Sequence, residues 1–321
     1  MTYDLCLAWN WEHDADFARL LDLACCSHGL SLLQITPDNL GDMLQSLANS
    51  QIAFRAFLDR ASDTDARFMP VVQWAYEHLV YCINPHERAR RTWDKATMHL
   101  DFINAGLYAP YTLILPSYHE QPVLPPMDLN PLGDRFTIKP VHGGGGEGVV
   151  TEATSLSQVL AARQEYPTDK YLLQAHVVPA QPGSRPAWFR VLYCAGQVYP
   201  CWWDTRTHVY TPVTSAEESC YSLTPLRTIP ASIARICGLE LFSTEIALTS
   251  EGLFTVVDYV NDQIDLRLQS KALDGVPDDI VQDIAERLVT LVVGKCSPHS
   301  YEESAISGKR DPVSVRPNGY P

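Results

Sequence analysis

Basic residues are scarce in this sequence of 321 residues, which has 24 Lys and Arg against 38 Asp and Glu and a net charge of −14. It contains no long basic run, and this excludes general binding to nucleic acid or to an anionic membrane surface. No apolar run approaches the ~20 residues that span a bilayer, and the N-terminus lacks the pattern of a targeting peptide. We therefore expect a cytoplasmic protein with no nucleic-acid and no membrane partner.

Three familiar motifs are also missing. The nine scattered cysteines form no Cys-x-x-Cys pair, which favours reduced thiols over a disulfide framework or a zinc site. No Gly-Lys-Ser or Gly-Lys-Thr occurs, and this excludes a Walker-type phosphate loop. A His-Gly-Gly-Gly run is present at His142–Gly145, but an esterase would also need a Gly-x-Ser-x-Gly elbow, which the chain does not contain.

What the sequence does contain is a glycine-rich loop at residues 143–149, which we call the glycine flap. It follows Phe136–Pro140, a predicted strand that ends in Lys139 and Pro140, and it leads into a second β-like run at 148–151. Four consecutive glycines lose much backbone entropy on folding, and such loops usually bring bare N–H groups close to an anion, most often phosphate. A dinucleotide-binding turn would instead open a helix. We interpret the segment as a flap between antiparallel strands that covers phosphates, with a flexible hairpin tip as the alternative.

The first 110 residues alternate β-rich runs with helical patterns, which predicts a mostly parallel sheet with helices on its faces. A long helix is expected to follow, from Pro85 to Asn104, and Gly106 provides a stop signal. The predicted strands cover 5–9, 30–35, 52–58 and 79–84, and the predicted helices cover 14–26, 40–48 and 70–78.

The remaining chain divides into four stretches. Residues 115–131 hold several prolines and indicate a turn-rich crossing. Residues 135–178 contain the flap and a predicted helix at 156–166, and residues 186–295 appear β-rich before a final helix that starts at Pro277. The last residues are rich in Ser, Pro and charge, which predicts a flexible tail at 297–321.

Acidic residues on two predicted strands indicate a metal site. Glu245 lies within one apolar run, and Asp258 and Asn261 end the next. Mg²⁺ prefers carboxylate and carbonyl oxygens together with phosphate, although a solvent-facing Glu245 is the plain alternative. Residues three apart on a regular strand face opposite sides, so Asp258 and Asn261 share a metal only if a bulge realigns them. Otherwise one of the two is not a ligand, and Asp262 is a substitute.

Two arginines near these runs are candidates for binding an anion. Arg190 lies in the aromatic run Trp188–Leu192, and Arg267 lies six residues beyond Asn261. The planar guanidinium donates two hydrogen bonds at once to a phosphate or a carboxylate. A lone arginine is usually a surface residue, and the aromatic frame of Arg190 favours the functional interpretation for that residue.

The order of these motifs resembles the ATP-grasp superfamily over roughly residues 1–295, and most closely its glutathione-synthetase-like and peptide-ligase-like members. The resemblance implies an ATP-grasp α/β fold, with an N-terminal parallel α/β domain at 1–110, a lid subdomain at 111–180 and a metal-binding subdomain at 181–296. The segments that carry it are Asp59–Asp63, Val80–Pro85, Arg88 to Lys95, Pro110–Thr112, Ile138–Pro140, the glycine flap, Leu172–Ala175, Arg190, Glu245 and Asp258 to Asn261.

The resemblance also implies roles for individual residues. Those implied to contact ATP are Lys95 and Lys139 at the phosphates, Gly144, Gly145, Gly146 and Gly148 in the flap above them, and Gln174, Ala175, His176 and Val177 in a hinge that faces adenine. Arg190 would stabilise the transferring phosphoryl group together with Lys139. Glu245, Asp258 and Asn261 would bind Mg²⁺, with Mn²⁺ as an alternative metal, and Arg60, Asp63 and Arg267 would contact the substrate.

The sequence departs from the family pattern at two points. The metal strand usually has one residue between its acid and its Asn, and here it has two; the acid expected two residues before Arg190 is replaced by Trp188. The implied activity is ATP- and Mg-dependent ligation of a carboxylate to an amine through an acyl phosphate, with an amino acid, a peptide or another small acid as the substrate. A small-molecule kinase on the same fold and a non-catalytic nucleotide-binding protein stay as alternatives, and the resemblance allows a homo-oligomer.

Overall fold

The computed structural model describes residues 1–296, and the tail predicted at 297–321 lies outside the described residues. The described strands are β1 Thr2–Trp9, β2 Leu32–Ile35, β3 Ala53–Arg60, β4 Tyr81–Ile83, β5 Thr112–Leu115, β6 Phe136–Pro140, β7 Val150–Ala153, β8 Tyr171–Ala175, β9 Trp188–Cys194, β10 Gln197–Trp203, β11 Tyr210–Pro212, β12 Leu241–Leu248 and β13 Phe254–Asn261. The helices are α1 Ala15–Ser27, α2 Leu40–Ala48, α3 Met69–Glu77, α4 His86–Trp93, α5 Lys95–Asn104, α6 Leu156–Glu165, α7 Ser215–Cys220, α8 Pro225–Cys237 and α9 Asp278–Cys296.

The first four strands form a parallel sheet in the order β2-β1-β3-β4, which we call the N-terminal sheet. The predicted alternation of strands and helices is therefore confirmed. Parallel neighbours need a crossover, and α1, α2 and α3 supply one between each successive pair of strands. Apolar residues on both faces of β1 are fully buried, as expected of a parallel strand covered on both sides.

The single helix predicted from Pro85 to Asn104 is wrong, because the chain breaks at Asp94. The backbone of Asp94 is extended, with φ −78° and ψ 93°, and its side chain accepts a hydrogen bond from the backbone N–H of Thr97. Aspartate is a favoured N-cap, so the sequence contained the signal for a second start. The break places Lys95 at the first turn of α5.

Four strands form an antiparallel lid sheet in the order β5-β8-β6-β7, with α6 packed against it. The glycine flap joins β6 to β7, which pair antiparallel as predicted. Five strands form the C-terminal sheet in the order β11-β10-β9-β12-β13. The three sheets fall within the ranges expected for three domains, and the boundaries between those domains stay predictions.

The stretch at 186–276 is not purely β-rich as predicted, since it contains α7 and α8. Thr214 and Glu217 form a reciprocal capping box at the start of α7, and a Ser/Thr followed three residues later by Glu is a recognised start signal. Helix α8 has Pro225 at its first turn and ends at Gly238 with φ +69°, a conformation that glycine adopts without strain.

The largest apolar core joins the N-terminal sheet to the C-terminal sheet. Ile284 and Leu288 of α9 are fully buried in it, together with Phe17 of α1 and Leu192 of β9. Each fully buried aliphatic side chain stabilises the fold by about 1.5–3 kcal/mol. This core holds β9 and its neighbours against the N-terminal sheet. No helix within residues 1–296 is long and apolar enough to cross a membrane.

Candidate nucleotide and metal site

One row of the C-terminal sheet carries three charged side chains on three neighbouring strands. Glu245 of β12 lies opposite Arg190 of β9 on one side and opposite Asp258 of β13 on the other. Residues directly opposite in an antiparallel pair share a face of the sheet. Arg190 Nη1 donates to Glu245 Oε1 at 2.6 Å, and Arg190 Nε donates to the hydroxyl of Ser243 at 3.3 Å. The row therefore brings one cation and two acids together on one face.

Asn261 reaches the same face through an irregularity of β13. Glu245 pairs with Asp258, and Ser243 pairs with Asn261, so two steps on β12 match three steps on β13. The extra residue is a β-bulge, which realigns a side chain by one position. The bulge that the spacing required is thus present. Asp262, the predicted substitute, instead accepts a hydrogen bond from Asn84 Nδ2 at 2.6 Å.

Lys139 approaches these acids from the lid sheet. It is only 8% exposed, and its Nζ donates to the carbonyl of Val257 at 3.2 Å and lies 5.7 Å from the ring centre of Tyr259. Burial lowers the pKa of Lys139 below its ordinary 10.5, and Lys95 adds to the effect, whereas Asp258 opposes it. A buried ammonium with unused donors is suited to an anionic ligand.

The two acids respond differently to their surroundings. Burial raises the pKa of Glu245, with Arg190 acting against the shift. Burial would also raise the pKa of Asp258, but the positive charges of Lys139, Lys95 and Arg190 outweigh it and lower that pKa. Nearby cations favour the charged form of a carboxylate. Asp258 is therefore held as a carboxylate in the centre of the cluster.

Lys95 connects helix α5 to the start of the glycine flap. Its Nζ donates to the carbonyl of Gly143, and its backbone N–H donates to the carbonyl of Val141 at 3.3 Å. Within the flap, the glycines with positive φ are Gly143, Gly145, Gly146 and Gly148. The predicted phosphate contacts of Lys95 are untested, and the structure places this lysine beside the loop that was predicted to cover those phosphates.

Side chains of the α6–β8 connection anchor both ends of the flap. Asp169 accepts from the backbone N–H of His142 at 2.9 Å and contacts its ring Nδ1 at 2.9 Å. The hydroxyl of Tyr166 donates to Glu147 at 3.0 Å, and a Cβ added at Gly148 would lie 2.6 Å from the Tyr166 ring. The base of the flap is therefore held, while added Cβ atoms at 143–146 would meet open space.

The predicted adenine hinge begins at Gln174, whose side chain is buried and hydrogen-bonded within the protein. The side chain of Gln174 is 2% exposed and donates to Tyr259 at 2.6 Å and to Thr112 at 3.1 Å. This side chain is committed to hydrogen bonds in the interior, and the contact of Gln174 with adenine stays a prediction. The other hinge residues are Ala175, which is half-buried, His176, which is exposed, and Val177, which is half-buried; their predicted contacts with adenine stay predictions.

Sequence reasoning missed a buried polar network centred on Tyr259. Its hydroxyl lies 2.7 Å from Nδ1 of His99 and accepts the bond from Gln174. The network ties α5, the lid strand β8 and strand β13 together, and it holds the ring that lies beneath Lys139. The only sequence signal was the position of Tyr259 directly after Asp258.

The predicted substrate residues do not join the cluster. Arg60 is buried and forms a bidentate ion pair with Asp14, at 2.9 and 2.7 Å, and also donates to the carbonyl of Ile264. Its Nε and Nη2 donors are thus taken by protein groups. Asp63 is exposed, and its contact with a substrate stays a prediction.

Arg267 is also engaged by neighbouring acids. It forms a bidentate pair with Asp265, in which Nε donates to Oδ1 at 3.1 Å and Nη2 donates to Oδ2 at 2.7 Å, and Nη2 also donates to Asp274 at 2.9 Å. These partners raise its pKa, which leaves it charged but already neutralised. Protein acceptors engage Nε and Nη2 of both arginines, and the contact of Arg60 and Arg267 with an acidic substrate stays a prediction.

Solved structures with this architecture come from several proteins. A RimK domain ATP-grasp protein from Sphaerobacter thermophilus matches with a TM-score of 0.60 at 16% identity, over 90% of this chain and 100% of that one. D-alanine–D-alanine ligase from Bacillus anthracis, complexed with ATP, matches with a TM-score of 0.64 at 11% identity, over 94% and 99%. A D-cycloserine synthetase matches with a TM-score of 0.58 at 16% identity, over 90% and 99%.

These likenesses span nearly the whole of each chain and confirm the fold. The protein has the ATP-grasp fold, as the order of its motifs implied. No protein-family model matches the sequence, and no curated protein matches it. At these identities the structures establish architecture, and function has to be argued from the site.

Proposed function

We propose that this protein is an ATP-dependent carboxylate–amine ligase that uses Mg²⁺. The observation that carries the proposal is the convergence of Lys139 and Arg190 on Glu245 and Asp258, between two antiparallel sheets and beside a glycine flap. Solved proteins of the same fold include D-alanine–D-alanine ligase with ATP and a ligase with Mg and ADP. The substrates would be a small-molecule carboxylate and an amine.

The donor set fits Mg²⁺. Within residues 1–296 no group of three or more His, Cys, Asp and Glu side chains could hold a metal, but here two carboxylates are accompanied by an amide. Glu245, Asp258 and Asn261 supply the hard oxygen ligands that Mg²⁺ prefers, with phosphate oxygens completing its shell. The buried Nδ2 of Asn261 makes no hydrogen bond of standard geometry in the described part of the chain, so no such bond fixes this amide away from the site.

The residues of the site have separate tasks in this mechanism. Bound Mg²⁺ would supply positive charge to the phosphate oxygens. Lys139 and Arg190 neutralise the charge that develops as the γ-phosphoryl group moves to the substrate carboxylate, and they are positioned before the reaction begins. The amine then displaces phosphate from the acyl phosphate, which forms the C–N bond and releases inorganic phosphate.

The glycine flap suits the exclusion of water. An acyl phosphate hydrolyses readily, so a ligase has to cover it until the amine arrives. The flap carries glycines with no neighbouring atom within 4 Å of an added Cβ at 143–146, and its base is anchored by Tyr166 and Asp169. The backbone N–H groups of Gly143–Gly146 would approach phosphate from this open part, while those of Glu147 and Val149 donate to carbonyls within the flap at 3.2 Å.

The bulge in β13 removes the argument for a non-catalytic protein. That alternative was favoured by the spacing between Asp258 and Asn261, and the register shows that both residues reach one face despite it. No observation in the described residues favours a kinase over a ligase, and the distinction is left to the products of the reaction.

The test is ATP turnover with a panel of carboxylates, each with and without an amine, in the presence of Mg²⁺. A ligase requires both substrates and releases free phosphate, whereas a kinase leaves phosphate on the product. Lys139→Ala is the matched inactive variant. Absence of turnover in every combination, together with no stabilisation of the folded protein by Mg-ATP, would refute the proposal.

A further inference from the structure

Glu245 has a second protein donor besides Arg190. The indole Nε1 of Trp188 donates to Glu245 Oε2 at 3.3 Å, while Arg190 Nη1 donates to Oε1 at 2.6 Å. Trp188 and Arg190 are two residues apart on β9, so they point to the same face of the sheet. Each oxygen of this carboxylate is therefore bound by a different side chain from one strand.

Two donors constrain the carboxylate more than one. The χ3 angle of a glutamate has a broad distribution. The bond from Arg190 to Oε1 alone would therefore leave the carboxylate group free to rotate and Oε2 unfixed. The indole fixes that oxygen as well and thereby sets the plane of the group. A carboxylate oxygen has two acceptor positions, so Oε2 keeps one position for another ligand beside the hydrogen bond from Trp188. Asp258 lies directly opposite Glu245 in the sheet.

The indole is suited to this task because it is neutral. It donates a hydrogen bond to the carboxylate of Glu245 without adding a charge to the site. A lysine at position 188 would do the same but would add a positive charge that repels a metal cation. Tryptophan stands where the resemblance leads one to expect an acid, and an acid would be unable to donate this bond when ionised.

The partner of Glu245 is held in a similar way. The guanidinium of Arg190 lies 5.3 Å from the ring centre of Trp203 on the adjacent strand β10. A cation over an indole face is stabilised by the ring quadrupole. Trp203 thus orients Arg190, and Trp188 orients Glu245. Of the two tryptophans, only Trp188 contacts the predicted metal ligand itself.

We propose that Trp188 is a positioning residue that aligns Glu245 for a divalent cation bound with the nucleotide. The inference rests on the proposed function, since it assigns a role within the same site. Partners that orient metal ligands affect affinity strongly, and their loss typically weakens metal binding by about 10- to 100-fold.

The experiment measures Mn²⁺ binding by electron paramagnetic resonance in the presence of a non-hydrolysable ATP analogue. Trp188→Phe keeps a ring but removes the N–H, and we expect about a 10- to 100-fold loss of Mn²⁺ affinity. Trp202→Phe is the matched control, because this buried indole packs against Phe189 and points to the opposite face of the same sheet. Its affinity for Mn²⁺ should stay within twofold of the wild type.

Two further measurements separate positioning from general damage. In the Trp188→Phe variant, turnover should recover at saturating Mg²⁺, so the apparent activation constant for Mg²⁺ rises while kcat changes little. A general disturbance would lower kcat at every Mg²⁺ concentration. Trp188→His restores a ring N–H and should bind Mn²⁺ more tightly than Trp188→Phe; if the Phe variant does not fold, Trp188→His and Trp188→Leu provide the same comparison.

The outcomes are distinguishable from those of the proposed function. Wild-type affinity for Mn²⁺ in Trp188→Phe would overturn the role of Trp188 and leave the ligase proposal intact. Equal losses in the Phe and His variants would also overturn it, because the donor would not matter. If the wild-type protein binds no Mn²⁺ with the nucleotide, both the metal site and this inference are wrong.

Discussion

Two groups of basic side chains in this protein look alike in the sequence and have opposite surroundings in the structure. Lys95, Lys139 and Arg190 come from three separate elements and converge on two carboxylates, which leaves one formal positive charge in excess. We call them the convergent cations. Arg60 and Arg267 are each held bidentately by an aspartate and are called the paired arginines. A basic side chain can bind a ligand only through N–H donors that the protein's own acceptors do not already occupy.

The largest effect on stability among the paired arginines is expected at Arg60. Arg60→Met removes one member of a buried ion pair and leaves Asp14 uncompensated. Breaking such a pair costs about 3–5 kcal/mol of unfolding free energy, which urea denaturation would measure. The double variant Arg60→Met/Asp14→Leu should regain most of the loss. A stable Arg60→Met protein with a raised KM for one substrate would instead place Arg60 in the substrate site.

Substitution of Lys139 should lower turnover without lowering the unfolding free energy, which is the opposite of the result expected for Arg60. Lys139→Met removes a prepositioned donor, and we expect turnover to fall by about 10²- to 10³-fold. Because burial already lowers the pKa of this ammonium, its removal should leave the unfolding free energy unchanged or higher. Steady-state kinetics and urea denaturation of the same preparation test both parts. Unchanged turnover would remove Lys139 from the convergent cations as a functional group.

The flap next to the convergent cations offers a smaller perturbation. Gly148 has φ +68°, and an added Cβ would lie 2.6 Å from the ring of Tyr166, so Gly148→Ala introduces about 1–3 kcal/mol of strain. If the flap shifts to relieve it, nucleotide affinity should fall by about tenfold in calorimetric titration. Gly41→Ala is the control, since an added Cβ there meets nothing within 4 Å and Gly41 lies in α2, outside the flap. Equal effects at both positions would contradict a specific anchor at Gly148.

Arg267 is expected to have a smaller effect than any of these. Its pairs with Asp265 and Asp274 are partly exposed to solvent, and such pairs contribute about 0–1 kcal/mol. Arg267→Gln should therefore change the unfolding free energy by less than ~1 kcal/mol and leave both KM values within twofold. A large rise in the KM of the carboxylate substrate would show that this paired arginine releases its aspartates for a ligand.

The least perturbing test uses His99 as a probe of the convergent cations. Burial lowers the pKa of His99 below its ordinary 6.5, and the charge of Lys139 lowers it further. The unfolded chain therefore takes up a proton at His99 before the folded protein does, so stability falls as the pH drops below 6.5 towards the lowered value. NMR titration should show a higher pKa for His99 in Lys139→Met. An unchanged pKa would mean that the charge of Lys139 does not act on the His99 ring.

Local patterns predicted much of the architecture. The alternation of β-rich runs and helical periods located the four parallel strands, and the glycine run between two β-like segments located the flap. Local signals also existed for features that were missed, such as the cap at Asp94 and the capping box at Thr214 and Glu217. These errors came from weighing apolar periodicity above the start signals of helices.

Other features had no local signal. Gln174 lies in a run that the resemblance assigned to adenine, yet its side chain bonds to Tyr259, which is 85 residues away along the chain. The partner of Arg60 is 46 residues away. The spacing of Asp258 and Asn261 required a bulge, but only the pairing with β12 shows that it forms. Such contacts depend on how separate elements pack.

The sequence by itself determined the kinds of chemical group and the elements that carry them: a lysine before a glycine flap, an arginine on an aromatic strand, and acids on two later strands. The tertiary structure decided which of these groups meet. Lys139 contacts the carbonyl of Val257 across 118 residues, and Arg190 reaches Glu245 through strand pairing. Charges interact according to their separation in space and their exposure to water, and both quantities exist only once the sheets have packed together.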